Sequence, residues 1–198
     1  MLKLNRIFRQ YLRYLIGNRM MIQLPYRKNN VTKNSDICIE GYPRSANSWF
    51  NRYFFRANPN VQIAHHVHLC SQIKRALNKC VPTVVLIRNP LDCISSYHIY
   101  NYLETNLKLA IISYISYYNY IQKINRRILL VKFETAINNP EYIIRSLNTK
   151  FNLSFKIGDQ KTISQIKSEY KREAPGKEIS RTPTPSHERI TLKNKIIF

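Results

Sequence analysis

Apolar residues along this chain follow two alternating patterns, short unbroken runs and runs spaced for a helix, and the alternation predicts a strand–helix repeat. Ile37, Cys38 and Ile39 end a short buried strand, and Trp49, Phe50, Tyr53 and Phe54 then recur at helical spacing. Val61–His68 reads as a second strand, followed by a helix over Ser71–Lys79 with Ile73, Ala76 and Leu77 facing inward. Thr83–Ile87 is a continuous β-branched run suited to a central strand covered on both faces. Pro90 opens a helix to Tyr100, a long helix covers 105–125, Ile128–Phe133 is a further strand, and Asn139-Pro140-Glu141 starts a helix to Lys150. Strands alternating with helices predict an α/β domain with a central, mostly parallel sheet flanked by helices. Ligands of such sheets bind beyond the carboxyl ends of the strands.

The two ends of the chain are patterned differently. Residues 1–17 predict an amphipathic helix, with Leu4, Ile7, Phe8, Tyr11, Leu12 and Leu15 on one face and Arg6, Arg9, Gln10 and Arg13 on the other. Two readings stay open for it: docking on its own domain, or peripheral contact with an anionic membrane. Residues 26–36 read as a polar linker, so the chain divides into a helix and linker over 1–34 and an α/β domain over 35–198. The tail 156–198 predicts irregular and helical structure, with helical stretches at 163–172 and 186–195 around a proline-rich segment.

Composition narrows the class. At 198 residues with 44% hydrophobic and 12% aromatic content, the chain is long and apolar enough for one globular domain. Its net charge of +21, from 32 Lys+Arg against 11 Asp+Glu, favours anionic partners without choosing among them. A polyanion- or nucleic-acid-binding module is a rival reading on that ground, disfavoured because no recognised nucleic-acid motif appears. Cys38, Cys70, Cys80 and Cys93 form no CxxC pair and read as reduced core or near-core residues. With no apolar run long enough to span a membrane and no clean signal-peptide core, the expectation is a cytoplasmic protein.

Three segments that follow predicted strands carry candidate chemistry. Tyr42-Pro-Arg-Ser-Ala-Asn-Ser-Trp49 joins a strand to a helix, where unpaired N–H groups and the helix dipole suit an anion. It lacks the Gly-Lys-Ser/Thr of a Walker A loop. The competing account is an ordinary turn with Ser45 or Asn47 capping the helix. In the second segment, Arg88 closes a strand and Ser96 follows two turns into the next helix, placed to share one phosphate. The plainer alternatives are an Arg88–Asp92 ion pair and a Ser96 hydroxyl bonded to its own helix. The third is His65-His66-Val67-His68, where a strand would put His66 and His68 on one face. A neutral histidine there suits general base work better than zinc, for which no second ligand cluster exists.

Taken together, these segments resemble the sulfotransferase family, which uses 3′-phosphoadenosine 5′-phosphosulfate as donor. The 42–49 loop is similar to the family's 5′-phosphosulfate loop. Val85–Asp92 with Ser95-Ser96-Tyr97 is similar to its 3′-phosphate segment, and Val131–Glu134 followed by Asn139-Pro140-Glu141 to a later strand and helix. The resemblance covers about 36–155 and implies a P-loop-NTPase-like sulfotransferase fold. It implies that Arg44, Ser45, Ala46, Asn47, Ser48 and Trp49 surround the phosphosulfate, that Arg88 and Ser96 hold the 3′-phosphate, and that His68 is the base, with His66 its rival. It further implies sulfuryl transfer to a hydroxyl or amine without a metal. The acceptor is left open among glycans, lipid headgroups and small alcohols. Two departures stand out. Ala46 occupies a glycine position, and the family's late basic loop is not recognisable, leaving Arg172, Arg181 and Arg189 as candidates to replace it. A non-catalytic adenosine-phosphate binder of the same fold is therefore the nearest alternative.

Overall fold

The structure is a computed structural model and describes residues 29–100 and 106–172. The helix expected over 1–17 and the tail beyond 172, with Arg181 and Arg189, lie outside the described residues. Four strands form the sheet: β1 (Ile37–Gly41), β2 (Ile63–His65), β3 (Thr83–Ile87) and β4 (Leu129–Lys132). Their order is β2-β1-β3-β4 and every pairing is parallel, as the alternation of strands and helices predicts. The helices are α1 (Asn47–Ala57), α2 (Cys70–Asn78), α3 (Pro90–Tyr100), α4 (Leu107–Lys123), α5 (Phe133–Asn138), α6 (Pro140–Phe151) and α7 (Gln160–Arg172). A 3-10 turn at Asn125–Arg127 leads into β4.

The two faces of β1 belong to different cores. Ile37 and Ile39 join Phe50, Tyr53 and Phe54 of α1, Ile143, Ile144 and Leu147 of α6, and Ile163 and Ile166 of α7. On the opposite face Tyr42 joins Cys70, Ile73, Cys93, Tyr114, Tyr117 and Ile121 from α2, α3 and α4. Burying side chains such as Phe50, Tyr53 and Leu147 supplies about 1.5–3 kcal/mol each. This two-sided packing also fixes the register of the edges that carry the polar loops. α7 is further pinned to α1 where Arg56 Nη2 donates to Glu169 Oε1.

Two sequence expectations are corrected. The strand expected over Val61–His68 stops at His65, because His66 and His68 both have left-handed backbone, with φ of 58° and 59°. A left-handed residue cannot continue a ladder, so the two histidines sit in the loop between β2 and α2 and not on one face of a strand. Cys38, Cys70 and Cys93 are buried as expected, but Cys80 is exposed at a left-handed position after α2.

Candidate functional site

The loops after β1, β2 and β3 meet at the carboxyl edge of the sheet, where β1 lies between β2 and β3. The 42–46 loop has its tight geometry because Arg44 and Ala46 adopt left-handed backbone, with φ of 73° and 71°, while Ser45 between them does not. Residues of alternating hand turn successive N–H groups toward one side, which makes an anion-binding concavity. α1 begins directly afterwards with Ala46 at its N-cap and no side chain capping it. Ser45 and Asn47 are therefore not helix caps here. The first-turn N–H groups and the positive end of the helix dipole are left for a ligand.

Side chains fix the loop from below. Asn47 Nδ2 donates to Tyr42 O at 3.0 Å and Gly41 O at 3.4 Å, and Ser45 is fully buried with its Oγ 3.5 Å from Cys93 Sγ and 3.4 Å from Tyr118 Oη. Burial pushes the Cys93 thiol up to about 11, so it stays protonated and donates to Pro43 O at 3.1 Å. Tyr118 Oη donates to Leu86 O at 2.7 Å and Tyr114 Oη to Arg88 O at 2.5 Å, tying α4 to the end of β3. Trp49 is buried against Tyr53, ring centroids 6.0 Å apart, so its indole is a core group and its contribution to the loop is its main chain.

The two arginines expected from the sequence come together. Arg88 Nη1 donates to Arg44 O at 3.0 Å, and its guanidinium lies 4.2 Å from the centre of the Phe133 ring. Arg44 Nε donates to Ser96 Oγ at 3.0 Å, with its guanidinium over the exposed Tyr100 ring at 4.9 Å. The helix-backbone bond suspected for Ser96 belongs instead to its neighbour, as Ser95 Oγ donates to Leu91 O at 2.6 Å. Asn89 Oδ1 caps α3 through the N–H groups of Leu91 and Asp92, at 3.0 and 3.3 Å. Arg44 thus links Arg88 and Ser96 beside the loop that leads into an uncapped helix start. That chemistry suits a ligand with more than one anionic group.

The histidines form a second cluster beside the loop. His66 Nε2 shares a hydrogen bond with Ser48 Oγ at 2.8 Å, and its Nδ1 lies 2.5 Å from His65 Nδ1, so one of the two rings must donate and the other accept. Burial, then the neighbouring His65, push the His66 imidazole down from its ordinary 6.5 to about 4. His68 is held differently: its Nδ1–H donates to Gly41 O at 2.8 Å, so in the neutral ring Nε2 is the acceptor nitrogen. The His66 and His68 ring centroids are 5.6 Å apart. Among the described residues no group of three His, Cys, Asp or Glu is arranged to hold a metal ion. Cys70 is turned instead toward the core, its thiol 3.9 Å from Tyr117 O.

Two measurements follow. The unfolded chain takes a proton on His66 near pH 6.5 and the folded chain only near 4. Its contribution to stability is therefore complete above the upper value and lost as the pH falls toward the lower one. The melting temperature is expected to drop across that window, and His66→Asn to flatten the drop; an unchanged slope would contradict the burial of a neutral His66. At Ala46, a residue in left-handed backbone costs about 1 kcal/mol or more relative to glycine, offset in part by the greater freedom of glycine in the unfolded chain. Its methyl packs against the α1 core cluster. Ala46→Gly is expected to leave stability level or raise it by up to about 1 kcal/mol, a rise in melting temperature of roughly 2–4 °C. A clear fall in thermal unfolding temperature would count against the backbone assigned to this loop.

Sequence reasoning missed Glu40, Tyr100, Tyr114, Tyr118 and Phe133. Only Glu40 carried a signal, as a lone acid inside an apolar strand. The aromatic groups reach the site through α3, α4 and α5 packing, which local spacing does not report.

No protein-family model matches the chain, and no curated protein does. Among solved structures, the fold is similar to that of mouse sulfotransferase SULT7A1 complexed with PAP, with a TM-score of 0.47 and 11% identity over 73% of this chain and 67% of that one.

Proposed function

We propose that this chain is a sulfotransferase-like enzyme that takes a sulfuryl group from 3′-phosphoadenosine 5′-phosphosulfate and transfers it to an acceptor hydroxyl or amine. The observation that carries the reading is the meeting of Arg44, Arg88 and Ser96 at the uncapped start of α1. The residues fit such a donor: the 43–48 backbone and Arg44 suit the phosphosulfate end, and Arg88 with Ser96 suits the 3′-phosphate end. The donor supplies the sulfuryl group, whose bond to the 5′-phosphate oxygen breaks as a bond to the acceptor oxygen or nitrogen forms.

The chain's own part is placement and charge. Loop N–H groups and Arg44 stabilise the negative charge that grows on the departing phosphate, as in phosphoryl transfer, where positioning and electrostatics dominate. His68 accepts the acceptor's proton at Nε2, the nitrogen left as acceptor by its bond to Gly41 O. His66 is the poorer base, because both ring nitrogens are engaged and burial holds its basicity near 4.

Incubating the purified chain with sulfur-labelled donor and representative glycans, lipid headgroups and small alcohols tests the reading. Donor-dependent labelling of one class is expected. A second reading, a binder of adenosine phosphates without transfer, draws on Ala46 at a glycine-favouring position. It would show as adenosine bisphosphate binding with no labelled product from any class.

A further inference from the structure

Glu40 is the one carboxylate inside β1, and its side chain is wholly shielded from solvent. It lies between Cys38 and Tyr42 on the face covered by α2 and α4. Burying a carboxylate is expensive, and an apolar residue of the same size would serve packing better. The acid therefore needs a purpose that packing does not supply. Its two oxygens are used separately: Oε1 accepts the Val67 N–H at 2.8 Å and Oε2 the His68 N–H at 2.9 Å. Oε2 also lies 3.8 Å from His68 Nδ1, whose proton points to the carbonyl of Gly41, the residue next to Glu40.

These contacts fall on the loop where two non-glycine residues, His66 and His68, are left-handed. Such backbone persists only where its surroundings over-determine it, and it gathers at functional sites. Here one buried carboxylate grips two successive N–H groups of the loop, while the neighbouring carbonyl grips the ring.

We propose that Glu40 is a positioning residue for His68. It holds the 66–68 loop with His66 and His68 left-handed and keeps the His68 ring with Nδ1–H on Gly41 O, so that Nε2 presents the lone pair. Its negative charge offsets the imidazolium formed when the acceptor's proton moves to Nε2. No proton moves to Glu40 in this step. This rests on the reading of His68 as base, and it adds how that base is oriented and charge-balanced. Removal of a carboxylate that orients a histidine base costs up to about 10⁴-fold in a serine protease triad. With the carboxylate beside the ring and not directly on its N–H, a loss of about 10²-fold is expected here.

The test is Glu40→Gln, which keeps size but turns an amide N–H₂ toward one of the two backbone donors. Ring-nitrogen NMR on nitrogen-labelled histidine reads the His68 tautomer without donor or acceptor, and labelled-donor assays read kcat. Wild type should show a single Nδ1–H ring. The variant should show a mixture of tautomers and the lowered kcat, at unchanged affinity for 3′,5′-adenosine bisphosphate. An Nε2–H ring in wild type overturns the proposal even if the variant fails to fold, and so does a variant with wild-type tautomer and kcat. Absence of transfer by the wild-type protein, with the tautomer change present, overturns the reading of the reaction while leaving the hold of Glu40 on His68 intact.

Discussion

Replacing His68 with alanine is expected to lower kcat for donor-dependent transfer by about 10²–10⁴-fold, the range a positioned general base contributes, with little change in affinity for 3′,5′-adenosine bisphosphate. The geometry separates the two effects. The ring's bond to Gly41 O and the N–H bond to Glu40 do not involve Arg44, Arg88 or Ser96. Alanine keeps the main-chain N–H, so the loop retains its bond to Glu40 and only the ring is lost. His66→Ala is the control: that ring, held near 4 and engaged at both nitrogens, should matter less to kcat. Equal losses in the two variants, or no loss in His68→Ala, would contradict the assignment. Steady-state kinetics with labelled donor, beside calorimetry on the same proteins, makes the comparison.

Gly41→Ala is expected to damage stability more than the same change at Gly158, the other described glycine. A Cβ at Gly41 would lie 2.6 Å from Leu86 O and 2.8 Å from Asn47 Oδ1. Neither neighbour can retreat cheaply. Leu86 is the direct partner of Gly41 in the β1–β3 pairing, and the Asn47 amide is the brace that ties α1 to Gly41 O and Tyr42 O. Overpacking of this kind costs about 1–3 kcal/mol where side chains can adjust, so about 3 kcal/mol is expected against a backbone oxygen. For a chain of this size that corresponds to a fall in melting temperature of roughly 6–12 °C. Displacing Asn47 should also loosen the 42–46 loop, so bisphosphate affinity should fall with stability. Thermal unfolding that matches wild type would mean that the close approach of β1, β3 and α1 is misplaced.

The order of elements and the anion loop were legible because they are local. A β-branched run such as Thr83–Ile87, an aromatic repeat such as Trp49–Phe54, and a proline and serines between them need only neighbours in sequence to be read. The end of β2 was not legible. Val61, Ile63, His65 and Val67 alternate as a strand should, yet the strand ends at His65, because Glu40, far away in sequence, takes the N–H groups of Val67 and His68. Tertiary hydrogen bonds override a local period, and this one depends on β1 lying beside β2. Trp49 shows the opposite lapse: its motif suggested a ligand contact, whereas its helical spacing placed it in the core. Arg88 and Arg44 were found individually from the sequence, but their direct bond, and the stacking of each on an aromatic ring, come from packing of α3 and α5 around the sheet edge.

The proposed donor is one ligand held at two anionic ends, by the 42–48 loop and by Arg88 with Ser96. Calorimetry comparing 3′,5′-adenosine bisphosphate with adenosine 5′-monophosphate, on wild type and on Arg88→Ala, tests it most directly. A charged hydrogen-bonding partner contributes about 1.5–3 kcal/mol, so the bisphosphate should bind wild type roughly 10–100-fold more tightly than the monophosphate, and Arg88→Ala should erase that difference. Equal affinity of the two nucleotides for wild type, or a preference that survives in Arg88→Ala, would contradict it.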